Sequence, residues 1–157
     1  MFQGISVHVL DEKSRLTMPR RFHEEIERAV GQGKEFVLTH GLDGGLIFTD
    51  RGTLQAVMRE LGDGVAATRT VRAARRLILG GAEDSSPDRS GRLVLSEALR
   101  ASAEIKRAVY LVGVGNVIEI WAEELWLPAH KAAVGAASLL FDADKAVGPT
   151  VGTSSPS

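Results

Sequence analysis

The sequence predicts an α+β fold rich in short strands, built from two tandem copies of one unit. Three observations predict it. A charged turn and its continuation, Asp11-Glu12-Lys13-Ser14-Arg15-Leu16-Thr17-Met18-Pro19-Arg20-Arg21-Phe22, return as Asp88-Arg89-Ser90-Gly91-Arg92-Leu93-Val94-Leu95-Ser96-Glu97-Ala98-Leu99, with the same Asp-x-x-x-Arg-Leu spacing. After each turn and a helix-forming stretch come two apolar runs around a glycine-rich centre, Phe36 to Phe48 and Val109 to Ile120, the pattern of a hairpin. Apolar helical stretches ended by glycine connect the copies.

The elements follow in order. Ile5, Val7 and Val9 alternate with Ser6 and His8, the period of a strand with its apolar side buried. The turn at Asp11 comes next, and Met18-Pro19 marks a helix with proline at its first position, running to Val30 and closed by Gly31. Beyond the first hairpin, residues 51–62 read as a helix ended by Gly62, and Asp63-Gly64 breaks the chain. A connecting helix spans 65–79, with Val71, Ala74 and Ile78 on one side and Arg69, Arg72, Arg75 and Arg76 elsewhere, and Gly80-Gly81 ends it. These arginines suit pairing with a neighbouring element or subunit better than DNA. In the second copy Ser96 is a candidate N-cap and Glu97 stands favourably in the first turn of its helix. A last helix runs from Ala122 to Leu140 with a break or kink at Pro128, and Trp121 and Trp126 read as core in preference to interface anchors. From Asp142 onward Gly, Pro, Ser and Thr dominate and periodicity is lost, which reads as a flexible tail.

The turns carry the candidate function. An aspartate at the head of a tight turn accepts hydrogen bonds from N–H groups two residues on and holds the loop in one shape. The arginine then leads into the next strand, where its planar fork suits phosphate oxygens or guanine O6 and N7. The competing reading is an Asp–Arg ion pair with no outside partner, but such a surface pair contributes only about 0 to 1 kcal/mol, a weak reason to build one turn twice. Lys13, Arg15, Arg20 and Arg21 gather at the first turn, and Arg89, Arg92 and Arg100 at the second. Arg20 and Arg21 stand at a helix N-terminus, unfavourable for the dipole, so either a phosphate contact or ordinary solvation accounts for them.

Taken together, the two turns, the Met1-Phe2-x-Gly4 start, the Arg72-x-x-Arg75-Arg76-Leu77-x-Leu79-Gly80 helix and Leu111-Val112-Gly113 ahead of a strand bearing Trp121 resemble the MraZ family over about residues 1 to 140. That is a family of bacterial transcriptional regulators built from two AbrB-type repeats. The resemblance implies repeats at 1–62 and 82–141, joined by a helix at 63–81 and followed by a tail at 142–157. It implies that the repeats exchange hairpins within one chain to make a single pseudo-symmetric, β-barrel-like body with flanking helices. It implies a ring-shaped homo-oligomer, associated with the nucleoid, that binds short direct repeats in promoter DNA ahead of a cell-division and cell-wall gene cluster including its own gene, mostly as a repressor. Lys13, Ser14, Arg15, Arg20, Arg21, Arg89, Ser90 and Arg92 are the expected DNA-binding residues, with Asp11, Asp88 and Gly91 shaping the turns. The chain departs from the family at Ser14, where glycine is usual; a positive φ at that position would strain the serine.

Bulk properties narrow the classes. At 157 residues a core is sustainable without staples, and with no cysteine there is no disulfide, thiol nucleophile or thiolate metal site. Neither a signal peptide nor a membrane span is legible, which suits the cytoplasm. His8, His23, His40 and His130 have no paired ligand spacing, and Gly41-Leu42-Asp43-Gly44-Gly45 lacks a P-loop lysine or a dinucleotide fingerprint, so no enzyme, metal, cofactor or small-molecule substrate is expected. A net charge of −1 is not the basic footprint of most DNA-binding domains, so local clustering, multiplied by assembly, has to supply it. The alternative is a protein-interaction, scaffold or antitoxin-like module whose main partner is a protein.

Overall fold

The computed structural model describes residues 1–62 and 66–146, the last four of these through their backbone alone. Among the described residues eight strands and five helices follow one another: β1 (Phe2–Val9), β2 (Arg15–Thr17), α1 (Arg20–Gly31), β3 (Phe36–His40), β4 (Leu46–Asp50), α2 (Arg51–Leu61), α3 (Arg69–Gly80), β5 (Glu83–Asp84), β6 (Arg92–Val94), α4 (Glu97–Ser102), β7 (Ala108–Gly115), β8 (Val117–Ala122) and α5 (Glu123–Ala146). The fold is α+β. One antiparallel sheet has the order β1-β7-β8-β4-β3-β5, and a second consists of β2 paired with β6.

That order reads the same from either end once the two sequence copies are exchanged. β1 of the first copy lies on β7 of the second, and β5, the second copy's counterpart of β1, lies on β3 of the first. An approximate two-fold axis therefore passes through the sheet where Ile47 faces Glu119, exchanging the pairs Leu46–Ile120 and Phe48–Ile118. It also passes through the two-stranded ribbon where Leu16 faces Leu93. Each copy thus completes the other, and the copies interlock. The large sheet stays open, with β1 and β5 as its edges.

The main core lies between the ribbon, the sheet and α1. Leu16, Phe22, Phe48, Leu93, Leu99, Leu111 and Ile118 are fully buried there, drawn from both copies, so neither copy has a complete core without the other. A smaller cluster seats α2 and α3 through Leu54, Met58 and Ile78 on Val37, and a third packs Trp121 and Trp126 on Val112. Trp126 is stacked between Tyr110 and His130, with centroids 5.5 and 5.2 Å away, so both tryptophans belong to the core.

Several boundaries differ from the sequence-based expectation. Pro19 caps α1 from outside, at φ −52° and ψ 140°, and the left-handed glycine that ends the helix is Gly33, not Gly31. α3 starts at Arg69, where the Thr68 hydroxyl accepts from the Val71 N–H at 3.2 Å and caps the helix. α5 runs through Pro128 without ending and reaches Ala146, past the expected limit near Leu140 and into the segment read as tail. The expected Asp63-Gly64 break and the remainder of the tail, 147–157, lie outside the described residues. α4 carries the cap expected of Ser96, and α2 is capped by Asp50, which the sequence reading did not single out.

The largest difference concerns β1. Its alternation holds but its faces are reversed: Ile5, Val7 and Val9 are 50, 53 and 55% exposed, while Phe2, Ser6, His8 and Leu10 turn inward. The register on β7 and the two buried ends decide this. Phe2 packs edge-on against Phe22 at 5.3 Å, Leu10 seals the other end, and Ser6 and His8 satisfy each other at 2.8 Å between Oγ and Nε2. Among the described residues no helix is long and apolar enough to cross a membrane.

Candidate nucleic-acid interface

The two turns have one geometry. In the first, Asp11 Oδ1 accepts from the N–H groups of Lys13 and Arg15, both at 2.9 Å, and Oδ2 accepts from Arg15 Nε at 2.7 Å. In the second, Asp88 Oδ1 accepts from Ser90 and Arg92, both at 2.9 Å, and Oδ2 from Arg92 Nε at 2.9 Å. Backbone bonds from Ser14 to Asp11 and from Gly91 to Asp88, each 2.9 Å, close the loops. These bonds hold both carboxyls below their ordinary value of 3.8, the Arg15 and Arg92 backbone N–H groups acting most strongly and outweighing desolvation.

Ser14 and Gly91 occupy equivalent positions at φ 57° and 81°. The position does require the left-handed region, so Ser14 bears strain that Gly91 avoids. A side chain at 91 would also crowd His23, whose Cγ lies 3.2 Å from an ideal Cβ. Each of these residues ties its turn to the other copy, Gly91 O accepting from the Met18 N–H at 2.8 Å and Ser14 O from the Leu95 N–H at 3.0 Å. The ribbon and both turns are therefore one unit.

Side chains alternate across that ribbon. Leu16 and Leu93 point into the core, leaving Arg15, Thr17, Arg92 and Val94 outward, in the cross-strand pairs Arg15–Val94 and Thr17–Arg92. The ion pair expected as the competing reading is formed in both turns, but only through Nε. The terminal amino groups of both guanidinium forks make no hydrogen bond among the described residues, so four N–H-bearing nitrogens on one surface remain available to acceptors.

A protein-family model described as "MraZ protein, putative antitoxin-like" matches residues 78–138. A Transcriptional regulator MraZ of Syntrophomonas wolfei is 39% identical over 126 residues, covering 80% of this chain and 84% of that protein. The chain belongs to the MraZ family. Transcriptional regulators MraZ of Carboxydothermus hydrogenoformans and Clostridium acetobutylicum are 34% and 33% identical, over 126 and 134 residues, and this chain covers 84 and 90% of their lengths. The curated relatives are named as regulators, not enzymes.

In this MraZ chain the remaining candidate residues separate. Lys13, Arg89 and Ser90 are exposed on the turns. Arg20 is exposed at the start of α1, with Nε 2.8 Å from Glu24 Oε1. Arg21 is exposed as well, its guanidinium lying 4.9 Å from the Phe22 ring centroid and over Gly4, whose place an alanine Cβ would contest at 2.5 Å from Nη2. The Gly4 of the N-terminal motif thus makes room for Arg21. Arg75 instead caps the end of α2, donating to the carbonyls of Met58 and Gly62 at 3.1 and 3.0 Å. Thr17 and Val94 escaped the sequence reading, although their alternation with buried leucines was its available signal.

The lowered carboxyl values carry a pH prediction. Above 3.8 both carboxylates are ionised in the folded and unfolded chain and the turns are fully held; as pH falls through the lower folded-state values the native turns take up protons and that stability is lost. The amide resonances of Lys13, Arg15, Ser90 and Arg92 are expected to titrate together with midpoints below 3.8. Midpoints at or above it would contradict the hydrogen-bonded turns.

Proposed function

We propose that this chain is a sequence-specific DNA-binding regulator of transcription, mainly a repressor, which reads short direct repeats in the promoter of a cell-division and cell-wall gene cluster that includes its own gene. The reading rests on one observation above all: two equivalent turns present Arg15 and Arg92, each with free guanidinium nitrogens, on a single outward ribbon. Lys13, Arg89 and Arg20 add charge around it, positioning the ribbon through phosphates while the arginines reach base edges or phosphates. Ser14 and Ser90 meet the duplex beside them, and Asp11, Asp88 and Gly91 shape the loops. Arg21, exposed beside Gly4 of β1, adds to the same charge.

A net charge of −1 leaves one protomer a weak electrostatic binder, so we further propose assembly into a ring-shaped homo-oligomer that sets several ribbons on one rim. The exposed Ile5, Val7 and Val9 face on an edge strand is what supports self-association. Ile5→Lys/Val7→Lys is expected to reduce the particle to a smaller species by sedimentation while its circular dichroism is retained. An unchanged sedimentation coefficient would remove this face from the interface. The same apolar face also suits the second reading, a module whose main partner is another protein.

Salt separates the two readings. Binding to the duplex upstream of the chain's own coding sequence, measured by gel shift over a salt series against unrelated competitor, should be specific and weaken steeply through counterion release. A folded protein with no preference over competitor DNA would sink the promoter reading.

A further inference from the structure

The ribbon is nearly symmetric, and its departure from symmetry falls on its outward face. Of the four outward residues, Arg15 and Arg92 are exchanged by the two-fold and are chemically identical. Thr17 and Val94 are exchanged by the same axis and are not. Val94 is 59% exposed, between the buried Leu93 and Leu95. An apolar side chain there contributes nothing to the core and gives a phosphate nothing to bond.

Resting on the DNA reading above, we propose that Val94 is a specificity-determining residue that reads the C5 methyl group of a thymine, and that the Thr17/Val94 difference gives the ribbon a direction on the duplex. A two-stranded β-ribbon fits the major groove, where each base pair shows hydrogen-bonding groups and thymine alone adds a methyl. Valine presents only methyl groups, so its match on that floor is the thymine methyl. Arg15 stands directly across the strand pair from Val94, at the separation of neighbouring side chains on one sheet face. One end of the face thus combines a guanidinium with a purely apolar contact. At the other end Arg92 stands across from Thr17, whose hydroxyl makes no hydrogen bond among the described residues and is open to a base-edge donor or acceptor as well as a methyl. Two identical ends would read an inverted repeat equally in either orientation. Two unequal ends read one orientation, and a set of protomers facing the same way then requires direct repeats.

The test replaces each thymine of the bound duplex in turn by deoxyuridine, which removes the methyl and leaves the pairing groups intact. The full-length protein, Val94→Ala and Arg15→Ala/Arg92→Ala are titrated by fluorescence anisotropy at one salt concentration against the duplex from upstream of the chain's own coding sequence. For the wild type, one thymine per ribbon is expected to show an about fourfold loss on substitution, the scale of one methyl group removed from water. Val94→Ala should bind the unmodified duplex about fourfold more weakly and be insensitive to that same substitution. Its salt slope and sedimentation coefficient should match those of the wild type. The proposal is overturned if no thymine has an effect that Val94→Ala abolishes, or if Val94→Ala changes the assembled size, which would make the residue a contact between copies. Retained specific binding by the double arginine variant would instead remove the ribbon, and the thymine contact with it, from the DNA surface, whereas no specific binding by the wild type would overturn the DNA reading itself.

Discussion

Arg15→Ala/Arg92→Ala is expected to lower affinity for the promoter duplex by at least about 30-fold, since each arginine contact contributes on the order of 1 to 3 kcal/mol. The turns should outlast the change. Asp11 and Asp88 keep their two backbone N–H bonds through Oδ1 when the guanidinium is gone, and Leu16 and Leu93 still anchor the ribbon in the core. The variant should therefore keep its circular dichroism and sedimentation, and only the gel shift should change. The salt dependence divides the contact further: if the arginines hold phosphates the log–log slope falls by about one per contact, and if they read bases the slope persists while sequence preference is lost. An unfolded or dissociated variant would make the arginines structural, and wild-type affinity would remove the ribbon from the DNA surface.

Gly113→Ala is expected to be the most damaging small substitution in the body. Gly113 lies in β7 opposite Gly4 of β1, and a Cβ built on it would stand 2.4 Å from Gln3 N, 2.6 Å from Phe2 C and 2.8 Å from Gln3 Cα. All three are backbone atoms of the paired strand, so no rotamer relieves the overlap and β1 has to move. Displacing β1 unseats Phe2 from Phe22 and opens the main core at the first copy's entry. Overpacking with partial loss of a buried phenylalanine costs about 3 kcal/mol or more, a fall in Tm of about 6 to 12 °C at this chain length. Gly135→Ala is the control, because its Cβ meets nothing within 4 Å and alanine favours the helix. If Gly113→Ala melts within about 2 °C of the control, the close approach of β1 and β7 is not tight enough to matter.

The turns were legible in the residues because they are local objects. An aspartate, the N–H groups two and four positions on, and one left-handed residue specify the loop within five positions. The strain at Ser14 was foreseeable for the same reason, once glycine is recognised as the usual residue there. The cap at Ser96 is equally local. β5 was not legible, since Glu83 and Asp84 have no strand propensity and are extended only by lying on Leu38 and Val37.

From one sequence alone came the duplication, the α+β class, the shape of both turns and the clustering of arginines on them, since all follow from chemistry between near neighbours. The interlocking of the copies came from family resemblance, and the tertiary structure supplied its form: β2 pairs with β6 across the copies, not within one. It alone decided that Ile5, Val7 and Val9 face outward, because the partner strand and the buried ends select the face and periodicity only supplies the alternation. It likewise decided that Arg21 lies over Gly4 while Arg15 and Arg92 share one outward face with Thr17 and Val94. Which side of a strand meets the core depends on residues distant in the chain, and no local pattern encodes them.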